Sequence, residues 1–228
     1  MTDKTVEEFV DRVKAKSADR KALAKDGYFF IRDFEGGQMS RDMTIYVDDD
    51  GKAYHIYASE DNLTLQIAEL ADDYQSHTGK FIRVAPGGNN EAPTIFKRNN
   101  KYYMITSGCT GWAPNAGRLL VANNIMGEWK TLPNPFVGND AEVSYHSQGT
   151  FILPVQGKKD TFIFMADRWE PKSLKFSTFI WLPIHFENDL PVLKWIDKWD
   201  LNNLNIHLNL IIQQEYNRNT TGTKMLTN

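Results

Sequence analysis

Three stretches of this chain repeat one plan, and the repeat constrains the fold more than any other feature. Each opens with a polar residue ahead of a short apolar strand, passes through a turn and returns in a second strand. The first runs Asp42-Met43-Thr44-Ile45-Tyr46, turns at Asp49-Asp50-Gly51-Lys52 and returns as Ala53-Tyr54-His55-Ile56-Tyr57. The second runs Glu91-Ala92-Pro93-Thr94-Ile95-Phe96, then Asn99-Asn100-Lys101 and Tyr102-Tyr103-Met104-Ile105. The third runs Gln148-Gly149-Thr150-Phe151-Ile152-Leu153, then Gly157-Lys158-Lys159 and Thr161-Phe162-Ile163-Phe164. The leading residues stand at 42, 91 and 148, spaced by 49 and 57 residues. Units of about 40 to 50 residues built from short strands are the signature of β-propeller blades. The innermost strand of each blade lines a central channel, so equivalent positions on those strands converge. The spacing therefore predicts that Asp42, Glu91 and Gln148 meet in an acid-rich pocket.

Two further strands complete each unit. The first gains Thr64–Ala68 and Phe81–Val84, the second Arg118–Ala122 and Glu128–Leu132, the third Thr178–Leu182 and Val192–Trp195. Four short strands per unit fit a propeller blade. The expected architecture is all-β, with about three four-stranded blades over residues 28–201. Residues 1–27 read as a short helical or disordered leader. There Thr5 and Glu8 form a capping box, and Val6, Phe9, Val10 and Val13 follow helical spacing. Tyr28–Ile31 reads as an apolar strand. An Asn- and Thr-rich tail occupies 202–228. Three blades leave sheet edges and apolar flanks uncovered, and self-association through those edges is one way to cover them.

Composition narrows the function. Of 228 residues, 41% are hydrophobic, 24% charged and 12% aromatic, which is enough apolar mass for a sizeable core. The net charge of -3, with no basic stripe, argues against a nucleic-acid partner. No apolar run approaches the roughly 18 residues that span a bilayer, and the amino-terminal residues lack an apolar signal region, so the chain reads as soluble. The single cysteine, Cys109, precludes an internal disulfide or a cysteine-based zinc site and reads as a packing residue. Asp48-Asp49-Asp50 lacks the spacing of a calcium loop and reads as a hairpin turn. His146 reads as a hydrogen-bonded structural residue. No metal and no cofactor is expected. Aromatic rings together with carboxylates fit sugar chemistry, though they equally fit an ordinary β-rich core.

Longer strings carry a family likeness. Ser40-Arg41-Asp42-Met43-Thr44, with Val47-Asp48-Asp49-Asp50-Gly51-Lys52-Ala53-Tyr54, resembles the third blade of glycoside hydrolase family 43. Asn90-Glu91-Ala92-Pro93, Tyr102-Tyr103 and Thr106-Ser107-Gly108-Cys109-Thr110-Gly111-Trp112-Ala113-Pro114-Asn115 resemble its fourth. His146-Ser147-Gln148 and Phe164-Met165-Ala166-Asp167-Arg168-Trp169 resemble its fifth. The nearest branch is that of exo-β-1,3-galactanases and related β-galactosidases, and nothing in residues 1–27 resembles the family's first two blades.

The resemblance implies a five-bladed propeller that hydrolyses glycosidic bonds with inversion, acting on an oligosaccharide or polysaccharide of β-linked galactose. Inversion needs an acid to protonate the leaving oxygen and a second group, on the opposite face, to direct water. The resemblance implies Glu91 as the acid, Asp42 as the carboxylate that orients it and keeps it protonated, and Gln148 as the group that holds the water. Arg41, Thr110, Trp112, Asn115, Arg168 and Trp169 are implied or positioned as sugar contacts. A sugar-binding module without turnover and an interaction scaffold are the alternative readings.

Overall fold

The computed structural model describes residues 20–29, 39–202 and 204. The described residues up to Lys194 belong to one compact unit, and a second begins at Trp195. Among the described residues of the first unit, almost all the regular secondary structure is strand.

The first blade is a four-stranded antiparallel sheet of β1 (Met43–Val47), β2 (Ala53–Ser59), β3 (Thr64–Leu70) and β4 (His77–Val84), in that spatial order. The second repeats the plan with β5 (Asn90–Arg98), β6 (Lys101–Gly108), β7 (Arg118–Ala122) and β8 (Lys130–Leu132). Turn chemistry sets the registers. Asp48 N–H donates to the Lys52 carbonyl, and Gly51 takes φ +82° to close the first hairpin. Asn99 and Asn100 both take positive φ between β5 and β6, as a tight two-residue hairpin turn requires.

The third blade differs from the sequence expectation. It has three strands, β10 (Gln148–Pro154), β11 (Phe162–Arg168) and β12 (Thr178–Pro183). The stretch expected as its fourth strand lies instead in β14 (Leu190–Lys194). This strand pairs antiparallel with β13 (His185–Glu187) and parallel with β9 (Phe136–Val137), forming a separate small sheet. The reason is the chain just before it. β12 ends at Pro183, and the hairpin at Asn188-Asp189, both at positive φ, folds β14 back on β13 rather than along β12.

Sheet faces stack through two cores. Tyr54, Ile56, Leu65 and Ile67 of the first blade pack on Ile95, Tyr102, Met104 and Leu120 of the second. The opposite face of the second blade, with Phe96, Tyr103 and Leu119, packs on Ile152, Phe164, Ala166 and Leu182. Strand alternation explains the split, since successive residues point to opposite faces. A polar clasp reinforces the first interface. The Lys97 ammonium donates to Asp48 at 2.7 Å, and the Tyr102 hydroxyl donates to the same carboxylate. Burial alone would push the Asp48 carboxyl up, but these donors outweigh it and hold the group below its usual range.

Among the described residues the two outer faces have no blade against them. Met43, Ile45 and Val47 alternate along β1 and are each about half exposed. On the far side Phe151, Leu153, Phe179 and Trp181 are exposed, Phe179 at 73%. Trp181 therefore sits on this flank rather than in the core, because its strand partner Met165 shares the outward face.

Of the leader, Arg20–Lys25 forms helix α1, and the expected cap at Thr5 lies outside the described residues. Leu23 and Ala24 are buried with Leu63 and Tyr28. The helix passes so close to Gly87 that a Cβ there would sit 2.3 Å from the Lys21 carbonyl oxygen. Tyr28 and Phe29 are irregular rather than strand, and the rest of that expected strand lies outside the described residues.

The turn between β2 and β3 is unusual. Glu60, Asp61 and Asn62 all adopt left-handed φ, at 51°, 59° and 62°. Each non-glycine residue held there costs on the order of 1–3 kcal/mol. A buried ion pair supports the turn. Glu60 is 0% exposed, and Arg83 clamps it with Nε on Oε1 at 2.7 Å and Nη2 on Oε2 at 2.6 Å. Gln66 Nε2 adds a third donor at 3.0 Å. Replacing one partner strands a buried charge, which costs about 3–5 kcal/mol. Arg83→Met is expected to lose stability of that order, read as a shift in the midpoint of urea unfolding.

Candidate active site

Asp42, Glu91 and Gln148 stand at the starts of β1, β5 and β10, and the structure brings these three strand ends together. Local irregularities do the placing. The pairing of β5 with β6 shifts register between Glu91 and Thr94, and that of β10 with β11 shifts between Gly149 and Phe151. Both inner strands thus bulge immediately after the leading residue, a device that re-aims a side chain. In β5 the bulge turns Ala92 to φ +49° and releases its N–H from the ladder. Asp42 Oδ2 accepts that N–H at 3.2 Å. The carboxylate of the first blade is therefore tied to the residue next to Glu91. In β10 the bulge is held by close packing, since a Cβ on Gly149 would lie 2.9 Å from the Phe164 ring and 3.2 Å from the Thr94 methyl.

The link continues to the third blade. Ser107 sits directly opposite Glu91 across β5 and β6. Its hydroxyl oxygen accepts from Gln148 Nε2 at 2.8 Å. With Nε2 committed, Oε1 is the amide atom left to accept a hydrogen bond. Glu91 is itself held by Asn62, whose Nδ2 donates to Oε1 at 2.9 Å. Cys109 lies beside the same carboxyl. Burial first and the Glu91 charge second push its thiol up to about 12, so it stays a neutral thiol.

Beside Gln148 opens a cleft lined by Ser107, Trp112, Asn115, His146, Asp167 and Trp169. Trp112 is 77% exposed and meets Trp169 with ring centroids 4.6 Å apart. The Trp169 indole donates to the Trp112 carbonyl at 3.2 Å. This pair offers an exposed aromatic surface on the wall of the cleft.

The remaining candidates are occupied differently. Thr110 donates to the Ala113 carbonyl and accepts from Asn115 Nδ2. Asn115 also exchanges hydrogen bonds with both backbone groups of Gly108. Both side chains thus shape the loop that carries Trp112. Arg41 is exposed, and its charge reaches the Cys109 thiol. Arg168 sends Nε and Nη2 to the Tyr145 carbonyl at 3.1 and 2.6 Å. Tyr145 belongs to a second left-handed run, Ser144, Tyr145 and His146 at φ 48°, 55° and 59°, which feeds directly into Gln148. Arg168 therefore braces the approach to Gln148.

Sequence reasoning passed over Asn62, Ser107 and Asp167. Asp167 is paired opposite Gln148 and so shares its face of the sheet. Its string was noted, but only for the Arg-Trp that follows. Asn62 lies in a polar turn whose composition reads as an ordinary loop. Among the described residues no group of three or more His, Cys, Asp or Glu is placed to hold a metal. No helix among them is long and apolar enough to cross a membrane.

The family model of glycosyl hydrolases family 43 matches residues 19–178. The chain belongs to that family. Among solved structures it is similar to a family 43 β-1,3-galactosidase with galactodeoxynojirimycin, at 64% identity and a TM-score of 0.71, covering 72% of this chain and 48% of that one. It is also similar to an exo-β-1,3-galactanase from Clostridium thermocellum, at 38% identity and a TM-score of 0.63, covering 69% of this chain and 34% of that one. A β-D-galactofuranosidase of Aspergillus niger is 30% identical over 108 residues, covering 46% of this chain and 31% of its own length. The chain thus spans half or less of the length of these relatives. Its fold is that of the family 43 propeller, represented by three consecutive blades.

A charged donor pair on one carbonyl contributes about 1.5–3 kcal/mol. Arg168→Met is expected to lower the midpoint of thermal unfolding accordingly. It should also increase amide hydrogen exchange over 144–148 more than elsewhere, measured by mass spectrometry.

Proposed function

We propose that this chain carries the catalytic end of a glycoside hydrolase that removes β-linked galactose with inversion of configuration. The observation that supports this most is the continuous link Asp42, Ala92, Glu91, Ser107, Gln148 across three blades, beside an aromatic cleft. The galactose-acting relatives supply the substrate class, and exo-acting cleavage of β-1,3-galactan is the narrower form of the proposal.

In this reading Glu91 protonates the leaving glycosidic oxygen as the anomeric C–O bond breaks. Asp42, fixed by the Ala92 N–H, is held next to the acid. Gln148 presents Oε1 to the attacking water. A neutral amide orients water without taking its proton, so its role is placement, and the proton that the water loses as the new C–O bond forms passes to solvent. Trp112 and Trp169 offer ring faces to the apolar face of a galactose unit.

Removal of a general acid costs about 10²–10⁴-fold in rate. Glu91→Gln is expected to lose that much activity on an aryl-β-galactoside whose leaving group needs protonation, with folding unchanged by circular dichroism. Proton NMR of the first-formed product is expected to show α-galactose. Galactose binding by calorimetry with no turnover by the parent chain would favour the sugar-binding module instead.

The two apolar flanks left uncovered among the described residues favour a second property, self-association. The β1 face carries Met43, Ile45 and Val47, and the far face carries Phe151 and Phe179. Light scattering is expected to show mass rising with concentration, and Ile45→Lys with Phe179→Lys to return it to that of one chain. A mass independent of concentration in the parent would rule this out.

A further inference from the structure

Asn62 combines three features that ordinary loop residues lack. It is 7% exposed, in a turn between two strands. It is the third of three successive left-handed residues, anchored by the Glu60–Arg83 pair and by Arg20 on Asp61 at 2.7 Å. Its side-chain Oδ1 is buried with no hydrogen-bond partner, while Nδ2 is spent on Glu91 Oε1. An orphaned buried acceptor costs about 1–3 kcal/mol. The fold thus bears an unpaired acceptor and a strained turn around one productive contact. Such strain concentrates where a functional group must be held.

We infer that Asn62 is the positioning residue of the acid: by donating to Oε1 it confines the transferable proton to Oε2. The inference rests on the reading of Glu91 as the acid. An amide N–H can donate to Oε1 whether the carboxyl is neutral or ionised, because Oε1 is an acceptor in both states. The geometry therefore survives the catalytic cycle. Before reaction the proton resides on Oε2. As the C–O bond breaks, that proton moves to the leaving oxygen, which keeps the bonding electron pair, and Glu91 is left as a carboxylate still held by Nδ2. Solvent returns the proton to Oε2. Without the amide donor only the weak Cys109 thiol contact remains on the carboxyl, and the proton is less firmly confined to one oxygen.

The charged and titratable groups around this carboxyl come from four elements. Asp42 precedes β1 and is tied to Ala92. Cys109 follows β6, and Arg41 and Arg118 lie close enough to act on its thiol. Asp61 precedes Asn62 in the turn and is paired with Arg20 on α1. Of these, the Cys109 thiol also hydrogen-bonds the Glu91 carboxyl, as a weaker donor than the Asn62 amide.

The conformation of the turn makes the test clean. Glycine accepts positive φ without strain, so Asn62→Gly removes the amide and keeps the turn. Asn62→Asp keeps the shape and puts a second carboxylate in place of the donor. Two readouts apply, steady-state kinetics on an aryl-β-galactoside and ¹³C NMR titration of the Glu91 carboxyl carbon. Asn62→Gly is expected to keep its thermal midpoint and to lose about tenfold or more in kcat, with KM within about threefold. Its Glu91 resonance is expected to titrate at higher pH, because the ionised form has lost a donor. In Asn62→Asp the titration is expected to move up by about one pH unit or more, with the alkaline limb of the rate profile following. Turnover by Asn62→Gly within about twofold of the parent, or unmoved titration in both variants, overturns the inference. If the parent hydrolyses nothing, the glycosidase reading falls by itself, and the titration still decides whether Asn62 controls the Glu91 proton.

Discussion

The site depends on the burial of blade faces against one another. A strand sheet with apolar residues on both sides is stable only when both sides are covered. In this chain the second blade is covered on both, by Ile56 and Ile67 on one side and by Ile152 and Phe164 on the other. Stacking sheets that share a right-handed twist brings their inner strands close, and β5 is the strand touched by both β1 and β10. Gly149 marks how close the second approach is, since no side chain fits between Phe164 and Thr94. The three polar leads are distant in sequence and adjacent in space because hydrophobic burial puts them there. Their chemistry plays no part in the assembly.

Burial delivers strand ends only to within a few ångströms, and catalysis needs finer placement. The finer work falls to irregular backbone. Two bulges turn the leading residues out of the pleat, and two runs of left-handed residues carry Asn62 and Gln148 to their places. Each run is held by an arginine. Arg83 meets a buried carboxylate, and Arg168 meets a backbone carbonyl. Arginine suits both tasks, because its fork supplies several donors in fixed directions and stays charged when partly buried. Both three-residue left-handed runs among the described residues thus serve the polar leads.

Much of this was legible in the sequence, and the remainder was not for definite reasons. Short apolar runs with turn residues between them identified the strands of the first two blades, because alternation and turn chemistry are local. The spacing of Asp42, Glu91 and Gln148 pointed to a shared end of three strands. The fourth strand of the third blade was misplaced, since Val192–Trp195 reads the same whether it pairs with β12 or with β9, and only a hairpin of positive-φ Asn188 and Asp189 decides. That Arg168 holds the Tyr145 carbonyl was not legible, because a string shows that an arginine is near the site, never which way its guanidinium points. Asn62 was invisible, since left-handed backbone leaves no mark on a Glu-Asp-Asn triplet that any polar turn could contain.

The same asymmetry bears on how such a site tolerates change. A substitution in the stacked faces acts on every lead at once, because it alters how the inner strands approach. A substitution in a turn acts on one group. Asn62 and Ser107 each touch a single lead through one hydrogen bond, so each can vary the behaviour of its own lead, Glu91 or Gln148, separately. Arg83 lies one step behind, where losing it exposes the cost of Glu60 and of three left-handed residues together. Tuning of an otherwise fixed propeller should therefore be sought in the β2–β3 turn and in the approach to Gln148. There a neutral donor, a carbonyl and one unpartnered amide oxygen lie next to the reacting groups, and few contacts elsewhere depend on them.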